Sequence, residues 1–383
     1  MKKEENVLLE LLKVGLWDNV KIADSLPHIS NDVNWGEVYQ LAEEQSITGL
    51  VTAGIEPVQD EWTKVYGTPF IPQEWALQFI GATLQIEQRN KEMNSFVSSL
   101  IMRLRKDDVY ALLAKGQGLA QCYIKPLWRS CGDVDLFLSG NNYVKAKTLL
   151  CPIATEVEEE DTQELHQGLV LNNWIVELHG TLRSCNLPRM DRVIDEAQRD
   201  VFYGGDVRSW MNSNTQVFLP GVNSDVIFIF THLLKHFFNG GIGLRQVCDW
   251  CRFLYTYREK INVSLLESRL KKACIITEWK AFASLAVNML GMPGDSIPLY
   301  SSDNVWFKKA HKILRIILKT GNFGHNIDRS YTIKYKGVNR KVATAWHGLI
   351  DNISQVSIFP IDSTIVRLNM LKKGVLTIVS GKR

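Results

Sequence analysis

The chain has 383 residues with ordinary globular composition, 45% hydrophobic and 22% charged. That is enough apolar material for a sizeable core in two or three domains. A net charge of +3 gives no electrostatic case for a nucleic-acid or membrane partner. Seven cysteines are scattered in an odd count, and Cys248-x-x-Cys251 has no second pair to complete a zinc site. Reduced thiols in a cytoplasmic compartment are therefore expected. No apolar run reaches the length of a membrane span, and no signal-peptide core follows Met1-Lys2-Lys3.

Residues 1–108 read as helical. Val7 to Trp17 is a dense apolar face, and Asn31-Asp32 precedes an amphipathic stretch through Ala42. From Trp75 to Leu104 apolar residues recur at three and four, which predicts one long helix. Residues 109–185 change pattern. Val109–Leu113 reads as a buried strand ending at Lys115-Gly116-Gln117-Gly118, Leu119–Tyr123 as a short helix, and Val134–Leu138 as a second strand. A helix through Leu150 and an acidic solvated stretch from Ala154 to Glu164 follow. Gly168–Leu171 and Trp174–His179 form a hairpin, because Asn172-Asn173 tolerates positive φ. Residues 186–224, punctuated by Pro188, Gly204-Gly205 and Pro220-Gly221, read as an irregular linker. Residues 225–320 are a helical domain with Ser224 as the first N-cap, and 321–383 a tail of mixed structure. Gly240-Gly241-Ile242-Gly243 reads as a helix C-cap.

The chemistry concentrates in Gly132-Asp133-Val134-Asp135-Leu136. Alternation along a strand sends Asp133 and Asp135 to one face. Adjacent like charges need an offset, which a divalent cation such as Mg2+ supplies through oxygen ligands. The alternative is two solvated aspartates beside a turn. Glu177, on a later strand of the same small sheet, would complete a three-carboxylate cradle suited to phosphoryl or nucleotidyl transfer. Lys115-Gly116-Gln117 follows a strand and opens a helix, a place where backbone N–H groups can meet phosphate. It is not a P-loop.

Leu112-Leu113-Ala114-Lys115-Gly116, Arg129, Gly132-Asp133-Val134-Asp135-Leu136 and Val176-Glu177-Leu178-His179 together resemble a bacterial family of uncharacterised nucleotidyltransferases in the polymerase-beta-like superfamily. His232-Leu233-Leu234-Lys235-His236 and Asp249-Trp250 match its helical part. The resemblance covers most of residues 1–320. It implies an α+β fold, with a small mixed-sheet nucleotidyltransferase core flanked by N-terminal and C-terminal helical regions. It also implies Mg2+ or Mn2+ on Asp133, Asp135 and Glu177, which are its catalytic carboxylates. A nucleoside triphosphate would be the donor near Gly116 and Gln117, with Lys115 and Arg129 as phosphate ligands. The sequence departs from the superfamily at Gln117, where a small residue is usual.

His232 and His236 share a helix face, but Leu233 stands where the zinc-protease motif needs Glu. That helix is expected to line the cleft, with Lys235 or His236 reaching phosphate or acceptor; histidines held in the core are the alternative. His179 either contacts metal or nucleotide or positions Glu177. His166 stands alone in the pattern. No G-x-S-x-G is present. Lys372-Lys373 and Lys382-Arg383 are too few for nucleic acid. The leading expectation is transfer of a nucleoside monophosphate to a hydroxyl of an unspecified small molecule or protein, with pyrophosphate leaving. The alternative is a catalytically weak or inactive nucleotide- or partner-binding protein on the same fold.

Overall fold

The structure, a computed structural model, describes residues 1–17, 33–183, 187–322, 326 and 355–379. The expected Asn31-Asp32 cap and the Lys382-Arg383 end lie outside these residues. The fold is mixed α/β, with one seven-stranded sheet between helical regions.

The first helices are α1 (Lys3–Leu16), α2 (Trp35–Glu44) and α3 (Thr48–Tyr66). Asn34 caps α2 by accepting from the Glu37 N–H at 3.2 Å. α1 and α3 touch backbone to backbone: a Cβ on Gly54 would stand 1.9 Å from the Leu11 carbonyl oxygen, so no larger residue fits there. The long periodic stretch is one helix, α4 (Gln73–Lys106, 34 residues), about 50 Å long. It joins two cores. Phe79 belongs to the helical core, while Met93, Val97, Leu100 and Leu104 pack on the sheet.

The sheet order is β3-β4-β5-β2-β1-β7-β6. Its strands are β1 (Ala111–Ala114), β2 (Asp133–Leu138), β3 (Glu156–Val157), β4 (His166–Leu171), β5 (Trp174–His179), β6 (Val207–Asn212) and β7 (Thr215–Pro220). β2 runs antiparallel to β1 and parallel to β5. Asn172 and Asn173 both take positive φ, 49° and 66°, and close the expected β4–β5 hairpin in two residues. Alternation then sorts the faces. Val134, Leu136, Leu138, Val176 and Leu178 pack with α4 and with α6 (Gly140–Leu150), while Phe137 turns to the helical core. The short helix between β1 and β2, α5, spans Gly116–Ala120, three residues earlier than expected.

The supposed linker is structured. Residues 188–220 contain α7 (Pro188–Phe202) and the β6–β7 hairpin at the sheet edge. Proline at the first turn starts α7 rather than breaking it. The following helices are α8 (Val222–Asn239), α9 (Leu244–Tyr257), α10 (Val263–Lys272), α11 (Ile276–Leu290), α12 (Asn304–Thr320) and α13 (Pro360–Val379). Ser224 is not the cap of α8. Gly221 holds that position, and Asp206 accepts from both the N–H and the hydroxyl of Ser224, at 2.9 and 2.6 Å. Among the described residues no helix is long and apolar enough to cross a membrane.

Candidate active site

β2 and β5 are in parallel register, with Asp135 opposite Glu177 and Phe137 opposite His179. Asp135 and Glu177 are thus neighbours on the face turned toward α8, and Asp133 lies one step along β2. The sequence step just before them is strained: Lys115 (φ 60°) and Gly116 (φ 46°) both take positive φ at the β1–α5 junction. For lysine that is an unusual conformation, of a kind that clusters at functional sites. It goes with a Lys115 Nζ placed 2.8 Å from Asp135 Oδ1.

Charges in this cluster settle one another. Burial pushes the Lys115 ammonium down, yet the charges of Asp135, Glu177 and Asp133 hold its pKa above the ordinary value. Burial pushes Asp135 up, but Lys115 and the hydrogen bond to His179 (2.8 Å) hold it below the usual carboxylate range. Glu177 is likewise low, because His166, His179 and Lys115 outweigh its burial. Asp133 goes the other way: the Asp135 charge, then burial, raise it. A cationic position facing three carboxylates therefore exists at the Lys115 ammonium, and Asp133 is the carboxylate left short of positive charge. Those donors suit a hard divalent cation, which Asp133, Asp135 and Glu177 could hold.

Two cavities flank the cluster. A small one, about 60 Å3, is lined by Asp133, Asp135, Gly116, Arg129 and Arg245. A larger one, about 200 Å3, is lined by Glu177, His166, His179, Thr231, Lys235 and His236. Lys115 and His232 form part of both walls. The tightest grouping of three ligand-type side chains among the described residues is His166, Glu177 and His179, within 4.8 Å of one another, rather than Asp133, Asp135 and Glu177.

The sequence profile of the family described as "Uncharacterised nucleotidyltransferase" matches residues 31–291, a span that contains every one of these residues. The chain belongs to that family. No curated protein and no solved structure matches this nucleotidyltransferase-family chain.

Other expected site residues of this family member fall into place differently. Arg129, expected at phosphate, spends its guanidinium inside the protein. Nε and Nη2 donate to Asp249 at 3.0 and 2.5 Å, and Nη1 donates to the Ser130 carbonyl at 3.1 Å. It anchors the chain entering β2. The Gln117 side chain is buried and directed away from both cavities, donating to Asn90 Oδ1 at 2.9 Å. Asn90 in turn donates to the carbonyls of Leu127 and Arg129 at 2.7 and 2.8 Å. The bulk of glutamine therefore does not crowd the turn at Gly116. Lys235 reaches the larger cavity and pairs with Glu164 at 2.8 Å. His236 stacks edge-on against His232, ring centroids 4.4 Å apart. Burial, then Lys115 and Lys235, depress the His236 pKa to about 4, and burial and Lys115 hold His232 well below its ordinary value.

Two residues were missed in the sequence. Arg245, in the first turn of α9, lines the small cavity with Asp133 and donates to the Ser130 carbonyl at 2.8 Å. Its signal was its position four residues before Asp249, on the same helix face. His166 faces His179 across the β4–β5 hairpin. Once the two-residue turn at Asn172-Asn173 is accepted, that pairing follows, because the turn length fixes the register.

Proposed function

We propose that the chain transfers a nucleoside monophosphate from a nucleoside triphosphate to an acceptor hydroxyl, with Mg2+ or Mn2+ held by Asp133, Asp135 and Glu177. One observation carries the reading: the parallel β2–β5 register sets Asp135 beside Glu177 with Asp133 on the same strand, and the Lys115 ammonium answers that charge 2.8 Å from Asp135 Oδ1. A cation there would neutralise phosphate oxygens and align the attacking oxygen. In the reaction an acceptor oxygen bonds to the α-phosphorus, the bond to the leaving pyrophosphate breaks, and the hydroxyl proton goes to a base or to water.

The residues divide the work. Lys115 and Arg245 face the side of Gly116, Asp133 and Asp135, where triphosphate charge would accumulate. Glu177 is a better ligand than base, because its histidine partners hold its proton affinity low. The larger cavity, walled by Thr231, His232, Lys235 and His236, takes the acceptor. Burial and the nearby lysines lower the pKa of both histidines, which favours the neutral imidazole with one donor and one acceptor nitrogen.

The test is incubation with Mg2+ or Mn2+, each labelled triphosphate and a panel of hydroxyl acceptors. Metal-dependent pyrophosphate release that disappears in Asp135→Asn supports transfer. Metal-dependent triphosphate binding with no release across the panel supports the binding-protein alternative. The departure from the superfamily at Gln117 does not by itself favour that alternative, because its side chain is turned into the core.

A further inference from the structure

Among the described residues, the tightest ligand-type cluster mixes nitrogen and oxygen donors. His166 Nε2 and His179 Nε2 each stand 3.3 Å from Glu177 Oε2. The two imidazoles are 4.9 Å apart at their centroids. Two ligand atoms bound to one metal at about 2.0–2.1 Å and a tetrahedral angle are separated by roughly 3.3–3.4 Å. Both histidine–glutamate separations already have that length. The hairpin enforces the arrangement: Asn172-Asn173 sets His166 opposite His179, and strand alternation puts Glu177 on the His179 face. Asp135 Oδ1, 2.8 Å from His179 Nε2 and 2.8 Å from Lys115 Nζ, borders the cluster without completing it. The cluster also opens onto the larger cavity, which all three side chains line.

We propose that His166, Glu177 and His179, with Asp135 at the edge, form a site for a zinc-like first-row transition metal, distinct in chemistry from the all-oxygen aspartate site. Mg2+ is a hard cation that demands oxygen ligands and keeps its waters, so it gains nothing from two imidazoles. Zn2+ favours such a set of two histidines and a carboxylate with an open coordination position. The open position would face the cavity assigned to the acceptor. Hydrogen bonding alone needs one histidine to position Glu177, whereas here two converge on a single carboxylate oxygen. The inference shares Glu177, and Asp135 at its edge, with the proposed transfer reaction but does not depend on that reaction.

The full chain, stripped with a chelator, is dialysed against Zn2+ in the presence of excess Mg2+, and bound metal is counted by elemental analysis. One zinc per chain is expected, with affinity lowered about 10-fold or more in His166→Asn and in His179→Ala. X-ray absorption at the zinc edge on the wild-type chain should show imidazole scattering at about 2.0–2.1 Å, a readout independent of how well the variants fold. Zinc that fails to bind over Mg2+, binds without imidazole scattering, or binds folded His166→Asn and His179→Ala as tightly as wild type overturns the site. Asp133→Asn separates the two readings. It should abolish Mg2+-dependent pyrophosphate release while leaving zinc affinity in place. Loss of zinc binding alone defeats this inference, and absence of release with zinc retained defeats the transfer reading.

Discussion

Lys115 Nζ lies 2.8 Å from Asp135 Oδ1, on a backbone whose positive φ few lysines adopt. The contact makes Lys115 the internal counter-ion of the cluster, since Asp135, Glu177 and Asp133 all raise its pKa. Lys115 in turn holds Asp135 and Glu177 down, so both remain ionised well into acid. In Lys115→Met these carboxyl pKa values rise, and the acid limb of the pH–rate profile should move toward neutrality. Turnover should fall by about 100-fold, the scale of losing one preorganised charge at a reacting centre. Lys115→Arg, which keeps the charge, should restore most of the limb's position. Pyrophosphate release followed across pH 4–9 makes the comparison, and an unmoved acid limb in Lys115→Met would sink the counter-ion role.

Asp133 is the carboxylate with least compensation: the Asp135 charge and burial both raise its pKa. A carboxyl whose folded pKa is raised stabilises the fold less as pH climbs above its unfolded value. Asp133→Asn removes that repulsion. Without added metal the variant should melt at a higher temperature than wild type at pH 7. Its Mg2+-dependent turnover should nevertheless fall by about 100-fold or more. Calorimetry beside a pyrophosphate assay tests the pair of effects. A lower melting point would show that Asp133 holds the fold together rather than straining it.

Much of this site was legible in the sequence, and the reasons are local. The D-x-D strand, the lysine–glycine turn and the asparagine hairpin follow rules of periodicity and turn chemistry that act over a few residues. α4 was readable because its apolar positions recur along a helix of 34 residues. α7 and β6–β7 were not. Prolines and glycines mark their boundaries, and β6 is an edge strand whose side chains are exposed or half-buried apart from the polar Asn212, so it lacks an apolar stripe. Ser224 was misread for a related reason. A helix N–H can be satisfied from a distant loop: Gly221 holds the cap position, and Asp206, 18 residues from Ser224, accepts from the Ser224 N–H. The fate of Arg129 was also beyond the sequence, because its partner Asp249 is 120 residues away and meets it only in the folded core.

The Arg129–Asp249 pair is almost fully enclosed, with side-chain exposures of 5% and 6%. Tyr123 adds a hydrogen bond to Asp249 at 2.7 Å. Asp249→Ala strands a buried guanidinium and should destabilise the chain by about 3–5 kcal/mol. The double change Arg129→Met with Asp249→Leu removes both charges of the pair, though it leaves the Tyr123 hydroxyl without its acceptor, and should recover much of that loss. Urea unfolding of the three proteins decides the matter. If the double variant is as unstable as the single one, packing around the pair, and not the stranded charge, sets the cost.

Glu278, on α11, offers a pH-dependent test away from the cluster. It is 4% exposed, and its Oε2 has no hydrogen-bond partner among the described residues. Burial first, and then the charge of Asp362 on α13, raise its pKa to about 7, against the weaker pull of a backbone hydrogen bond and then of Lys309 and Arg189. Arg189 is already paired with Asp362. For an acid with a raised folded pKa, the folded state binds more protons than the unfolded state between the ordinary carboxyl value and about 7. Stability therefore declines as pH rises through that window and levels off above it. Between pH 5 and pH 8 the cost is about 2–3 kcal/mol, set by the distance from pH 5 to the folded pKa. Glu278→Gln carries no charge at any of these pH values. The variant should match wild type near pH 5 and exceed it by about that amount at pH 8, as read from urea midpoints. Parallel pH dependence in the two proteins would mean that Glu278 stays ionised throughout, held by a cation that approaches its free oxygen in solution.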